Sequence, residues 1–232
     1  MSLIFNNIDK MSFDDLGEES EFIPLMTSED EEALEKENLP EVLPILPLTN
    51  TVLFPGVVIP INAGRDKSIK LINDANKSNK LIGVVAQKDI KIENPSIENI
   101  FNIGTVAKIL RVLKMPDGNT TVIIQGKKRF KIKSVVKTDP YIQATINSIT
   151  DKNQKKSNSK FTATIDAIKD IALKIIKENP NIPSEASFAI KNIHSSAFLI
   201  NFVCSNMNIT VKDKQELLSS LNIENRALKC LK

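Results

Sequence analysis

The sequence predicts an α+β protein in which a β-rich unit with one helix is followed by an all-α helical unit. Three observations carry that expectation. Five of the eleven prolines fall within residues 40–60, which excludes a long helix there. From Gly104 to Thr150 the text reads almost wholly as strand, with side chains that alternate between apolar and polar. Beyond a polar run at 151–159, apolar residues recur at three- and four-residue steps, the period of buried helix faces. The chain has 232 residues, 41% hydrophobic and 25% charged. Those proportions are globular, and they argue against wholesale disorder, a collagen-like repeat or a disulfide scaffold.

Charge is distributed unevenly along the chain. Residues 1–44 hold thirteen acids against Lys10 and Lys36, a net of −11, whereas 45–232 carries +14. A segment that acidic, with scattered apolar residues, cannot bury enough surface to offset its ordering entropy. Residues 1–40 are therefore expected to form a mostly disordered tail. Within it, Phe22-Ile23-Pro24-Leu25-Met26 is an apolar island that could dock, and Ser28 with Glu31 has capping-box spacing for a short helix to Glu37.

The elements follow in order. Val42-Leu43, Ile45-Leu46 and Val57-Val58-Ile59 predict two short buried strands around a Phe54-Pro55-Gly56 turn. Ile69, Leu71, Ile72 and Ala75 predict an amphipathic helix from Asp66 towards Asn79, and Leu81 to Ala86 a buried strand. Thr105 to Leu113 and Thr120 to Ile124 form a hairpin across Asp117-Gly118. Further strands are expected at Arg129 to Val136 and Tyr141 to Ile149. Short antiparallel strands with one helix suggest a small barrel or sandwich at 41–150. A polar linker covers 151–160 and a helical subdomain 161–232. In the latter, Ile165, Ile168, Ala172, Ile175 and Ile176 line a helix that stops near Pro180. A second helix runs from about Ser184 through Cys204, Thr210 with Asp213 opens a third, and another pattern follows Asn222. No cap follows that last pattern, so the polypeptide is expected to continue.

The longest apolar stretch, Val52 to Ile61, is ten residues and is broken by two prolines and a glycine, too short for a membrane span. The start lacks a secretory signal, and a cytoplasmic location with no membrane partner is expected. Cys204 and Cys230 are read as two free thiols. His194 is the single histidine, which excludes a two-His metal site, and it is read as structural or at the surface. Gly126-Lys127 does not complete a phosphate loop, because Thr121 and Lys128 occupy positions that the motif assigns to Gly and Ser/Thr. No catalytic, metal or cofactor residue is expected in this chain. Arg129, Lys131 and Lys133 share one strand face that could meet phosphates, although the sequence has no Trp and one Tyr to stack on bases. Weak DNA binding by that face is an expectation set against an ordinary solvated sheet face.

From Ile45 to Ile149 the residues resemble a known family. Ile45-Leu46-Pro47-Leu48, Val52-Leu53-Phe54-Pro55-Gly56-Val57-Val58-Ile59-Pro60-Ile61 and Gly64-Arg65-Asp66-Lys67-Ser68-Ile69 resemble the opening of the Lon N-terminal domain. So do Val84-Val85-Ala86-Gln87-Lys88-Asp89, Gly104-Thr105-Val106-Ala107-Lys108-Ile109, Met115-Pro116-Asp117-Gly118 and Asp139-Pro140-Tyr141. Lys214-Gln215-Glu216-Leu217-Leu218 is similar to the helical continuation, whereas Thr49-Asn50-Thr51 departs from the usual Arg-Asp pair. The acidic head and the insert from Lys152 to Ser159 are not obvious family features.

The resemblance implies a β-rich pseudo-barrel and a helical bundle that lead to the AAA+ module and Ser-Lys protease of a hexameric, ATP-dependent enzyme. ATP and Mg would belong to that parent and not to this chain. The implied role is to recognise and hold unfolded or damaged polypeptides and to support the hexamer. The alternatives are a free-standing Lon-domain binding protein and a nucleic-acid-binding β-barrel. A receptor for unfolded chain should offer apolar side chains and a free strand edge. The candidate contacts are Leu53, Phe54 and Pro55 in the turn and Met115 and Pro116 at the hairpin tip. For Phe54 and Met115 the competing reading is internal packing.

Overall fold

The computed structural model describes residues 39–114, 120–151, 159–180, 182 and 185–231. The apolar island at 22–26, the helix expected at 28–37, the hairpin turn at 115–119 and most of the polar linker lie outside them. Six strands make one sheet: β1 (Val42–Leu48), β2 (Val58–Ala63), β3 (Leu81–Ala86), β4 (Ile103–Lys114), β5 (Thr120–Lys137) and β6 (Gln143–Ile149). Their order is β2-β5-β4-β3-β1-β6, and β6 also pairs with β5. That extra pairing closes β5, β4, β3, β1 and β6 into a ring, so the β-rich unit is a small barrel with β2 attached outside it.

Two pairings depart from an arrangement of antiparallel strands that are neighbours in sequence. β1 runs parallel to β3, with Ile45 opposite Gly83 and Leu48 opposite Ala86. Parallel neighbours need a long crossover, which β2 and the helix α1 (Asp66–Asn76) provide. β1 and β2 flank the Phe54-Pro55-Gly56 turn without pairing with each other; β2 lies along β5 instead, Val58 opposite Gln125 through Ala63 opposite Thr120. The strands expected at 120–124 and 129–136 are one continuous strand, β5. Gly126 permits this, because a Cβ there would stand 2.2 Å from the Phe54 carbonyl oxygen. The turn crosses β5 at that point through Gly56 N–H to the Gly126 carbonyl (2.9 Å) and Gly126 N–H to the Val57 carbonyl (2.9 Å).

Alternation divides the strands between two cores. Leu43, Ile45, Val85, Val106, Phe130, Ile132 and Ala144 fill the barrel. Room for the Phe130 ring comes from Gly83, where a Cβ would lie 2.9 Å from that ring. Leu46, Leu48, Val84, Ala107, Ile109, Val122 and Ile124 belong to a second core with α1, the 52–57 turn and the helical part.

The helices are α2 (Ser159–Glu178), α3 (Glu185–Asn192), α4 (Ser196–Asn206), α5 (Val211–Ser219) and α6 (Ile223–Cys230). α2 buries Ile165, Ile168 and Ile176 and ends before Pro180 as expected. The single helix expected through Cys204 is two, α3 and α4. Ser195 breaks it by adopting extended backbone and accepting the Phe198 N–H at 3.0 Å as an N-cap. Apolar spacing continues across the break, so periodicity alone does not reveal it. Thr210 accepts the Asp213 N–H at 3.1 Å and Asn222 the Asn225 N–H at 3.1 Å, which sets the starts of α5 and α6. His194 is exposed between α3 and α4.

Candidate functional site

The face expected to be basic and solvated is partly an internal junction. Arg129 on β5 is 2% exposed, and Arg226 on α6 is fully buried. Arg129 Nη1 donates to the carbonyls of Leu218 (2.7 Å) and Ser220 (2.8 Å), which close the end of α5. Arg226 donates to the Leu217 carbonyl (3.2 Å), the Ser220 carbonyl (2.8 Å) and Asn201 Oδ1 (3.0 Å). Both guanidiniums meet Asp151 Oδ1, Arg226 at 2.8 Å. Burial and the charge of Arg226 pull Arg129 down from its ordinary value to about 10, against the opposing pull of Asp151; it remains a cation at neutral pH. Arg129 is therefore removed from the proposed nucleic-acid face. At position 129 that side of the sheet is covered by the end of α5, whereas Lys131 and Lys133, further along β5, are exposed.

The turn residues are also mostly internal. Leu53 is 2% exposed and Phe54 is completely buried, so neither is a surface contact; both belong to the core shared with the helices. The Leu53 carbonyl accepts the Thr105 hydroxyl at 2.6 Å. Pro55 is half-buried, and its carbonyl accepts from Asn201 Nδ2 at 3.3 Å. The unusual Thr49 has a partner, since its hydroxyl accepts from Arg65 Nη2 at 3.1 Å while the same nitrogen reaches Gln87 Oε1 at 3.0 Å. Met115 and Pro116 lie outside the described residues.

What leads to that hairpin tip is described. β4 pairs with β3 only through Thr105 to Lys108, but with β5 from Ile103 to Lys114. The outer edge of β4 from Leu110 to Lys114 therefore has no strand beside it among the described residues. Leu110 is 45% exposed, Arg111 and Lys114 are exposed, and Val112 and Leu113 are half-buried. Unpaired backbone groups beside aliphatic side chains can add an extended peptide as a further strand.

The profile of the ATP-dependent protease La (LON) substrate-binding domain matches residues 42–232. The chain belongs to the Lon substrate-binding domain family. It is similar to the Lon protease of Flavobacterium johnsoniae, 60% identical over 225 residues that make 97% of this chain and 28% of that protein. The Lon protease of Cytophaga hutchinsonii is 51% identical over 85% of this chain and 24% of its own length. The chain thus spans about a quarter of the curated Lon proteases it matches. Its fold is similar to that of the N-terminal domain of Mycobacterium avium complex Lon protease, with a TM-score of 0.66 at 19% identity over 82% of this chain and 96% of that one. A Lon N-terminal domain protein from Xanthomonas campestris gives 0.60 at 15% identity.

Within this Lon domain, sequence reading missed Arg226 and Asp151. Arg226 carried a signal: with Ile223, Ala227 and Cys230 it falls on the inward face of α6, where a charge needs a partner. Asp151 carried none, because it lies just beyond β6 at the start of a polar run. Among the described residues there is no group of three or more His, Cys, Asp or Glu able to hold a metal ion. No described helix is long and apolar enough to cross a membrane.

Proposed function

We propose that this Lon domain holds unfolded or damaged polypeptide for an ATP-dependent serine protease, of which it forms the amino-terminal, non-catalytic part in the cytoplasm, and that it supports that enzyme's hexamer. The match of the substrate-binding family across 42–232 carries the reading. The open edge of β4 supplies its chemistry: backbone groups give affinity without regard to sequence, and Leu110 adds an apolar contact. ATP and Mg are assigned to the parent's other modules.

The test measures binding of a denatured, fluorescently labelled client to the 232-residue chain and to Leu110→Glu. Burying a leucine side chain is worth about 1.5–3 kcal/mol, so the variant is expected to bind about tenfold more weakly or worse, with an unchanged melting midpoint. Equal affinity in a normally folded variant removes the β4 edge from the mechanism. The same preparation should hydrolyse neither ATP nor casein above a contaminant control; activity in either assay would refute the non-catalytic assignment.

A further inference from the structure

α4 and α6 bring together the two cysteines of the chain. Cys204 Sγ and Cys230 Sγ stand 2.9 Å apart, both as free thiols. A disulfide bond is about 2.04 Å long, so less than about 1 Å of approach separates this contact from a covalent link. The two sulfurs differ in access, since Cys204 is completely buried and Cys230 is half-buried. A reagent dissolved in water therefore meets Cys230 first.

The surroundings sharpen that difference. The hydrogen bond from Cys204, and then the positive charge of Arg226 one turn earlier on α6, hold the Cys230 thiol below its ordinary value. The same hydrogen bond, followed by burial, pushes Cys204 well up. Lys214, which burial pulls below its ordinary value, donates to the Ser205 carbonyl at 2.6 Å. The accessible sulfur is thus the one whose thiolate is favoured, and Cys204 stands directly behind it.

We propose that Cys204 and Cys230 are a redox-active pair that hydrogen peroxide converts to a disulfide tying α6 to α4. The Cys230 thiolate attacks one peroxide oxygen; an S–O bond forms, the O–O bond breaks, and the leaving oxygen takes a proton to become water. Cys204 sulfur then attacks the Cys230 sulfenic sulfur. The S–S bond forms, the S–O bond breaks, and the departing hydroxide with the Cys204 proton gives a second water. Two thiols lose two electrons and one peroxide gains them. The link would enclose α5 and the carbonyls of Leu217, Leu218 and Ser220 that hold Arg129 and Arg226, so oxidation would fix the junction between barrel and helices. This inference does not depend on what the β4 edge binds.

The experiment treats the 232-residue chain with hydrogen peroxide and follows intact mass, free thiols under denaturing conditions, and migration on a non-reducing gel. The expected product is a monomer lighter by two hydrogens, with no free thiol and a Cys204–Cys230 cross-linked peptide. Dithiothreitol should restore it, and its melting midpoint should lie about 5–10 °C above the reduced form. Cys204→Ser should stop at a sulfenic acid on residue 230 that dimedone traps, whereas Cys230→Ser should leave Cys204 unmodified. Two intact thiols after treatment, oxygen added at Cys230 without cross-linking, or disulfide-linked dimers would each overturn the proposal.

Discussion

Asp151 presents one carboxylate oxygen to two buried guanidiniums, and five other N–H groups of those arginines go to backbone carbonyls or to Asn201. The carbonyls are neutral, so the carboxylate is what offsets the mutual repulsion of two like charges in a poorly solvated place. Removing one member of a buried ion pair costs about 3–5 kcal/mol, and the Asp151 side chain is 24% exposed, which softens the loss. Asp151→Ala is expected to lower unfolding free energy by about 3 kcal/mol in a urea titration, while Lys133→Gln on the same strand should change it by less than about 0.5 kcal/mol. At this scale the sequence is legible by halves. It shows that Arg129, Lys131 and Lys133 share a side of a strand, because alternation is local. It does not show that Leu218 and Ser220, some ninety positions later, lie over only the first of them.

Element boundaries were legible wherever a cap or a breaker was written into the chain. Pro180 ends α2, Thr210 and Asn222 open α5 and α6, and the apolar step in α1 puts Leu71, Ile72 and Ala75 inside. Pairing between elements was less so, because a strand's partners depend on what crosses between them. Gly126 is the clearest instance: it reads as an interruption between two strands, yet it is where β5 passes beneath the 53–57 turn without stopping. Gly126→Ala should push away the Phe54 carbonyl oxygen, which the new Cβ would otherwise meet at 2.2 Å, and loosen both hydrogen bonds to Gly56 and Val57. An overpacking cost of about 2–3 kcal/mol is expected. Hydrogen exchange should show the loss concentrated at the Gly56 and Gly126 amides. A variant as stable as the parent would mean that the turn can lift off β5 freely.

At the scale of the molecule, the barrel and the helices share one apolar core, from Leu46 and Ile124 to Leu199, Leu218 and Ala227. Hydrogen bonds also cross between them, among them Gln215 Nε2 to the Ile103 carbonyl at 2.9 Å. Neither part can open without exposing the other's buried face. Calorimetry is therefore expected to show one transition with equal van't Hoff and calorimetric enthalpies; two resolved peaks would mean that the polar run after Asp151 separates independent units. The general division into a β-rich part and a helical part could be read from the residues, because periodicity changes at 151–159. The closed ring could not, since β1 meets β6 with Val42 opposite Thr145, about a hundred positions apart, and nothing near either strand announces the other. That distance also matters while the chain is being made. Ribosomes add roughly 5–20 residues per second, so β1 spends on the order of five to twenty seconds outside the exit tunnel before β6 exists to cover its flank. For that interval the nascent chain displays an unsatisfied strand of its own, and its expression yield should depend on holdase chaperones more than the stability of the finished fold would suggest.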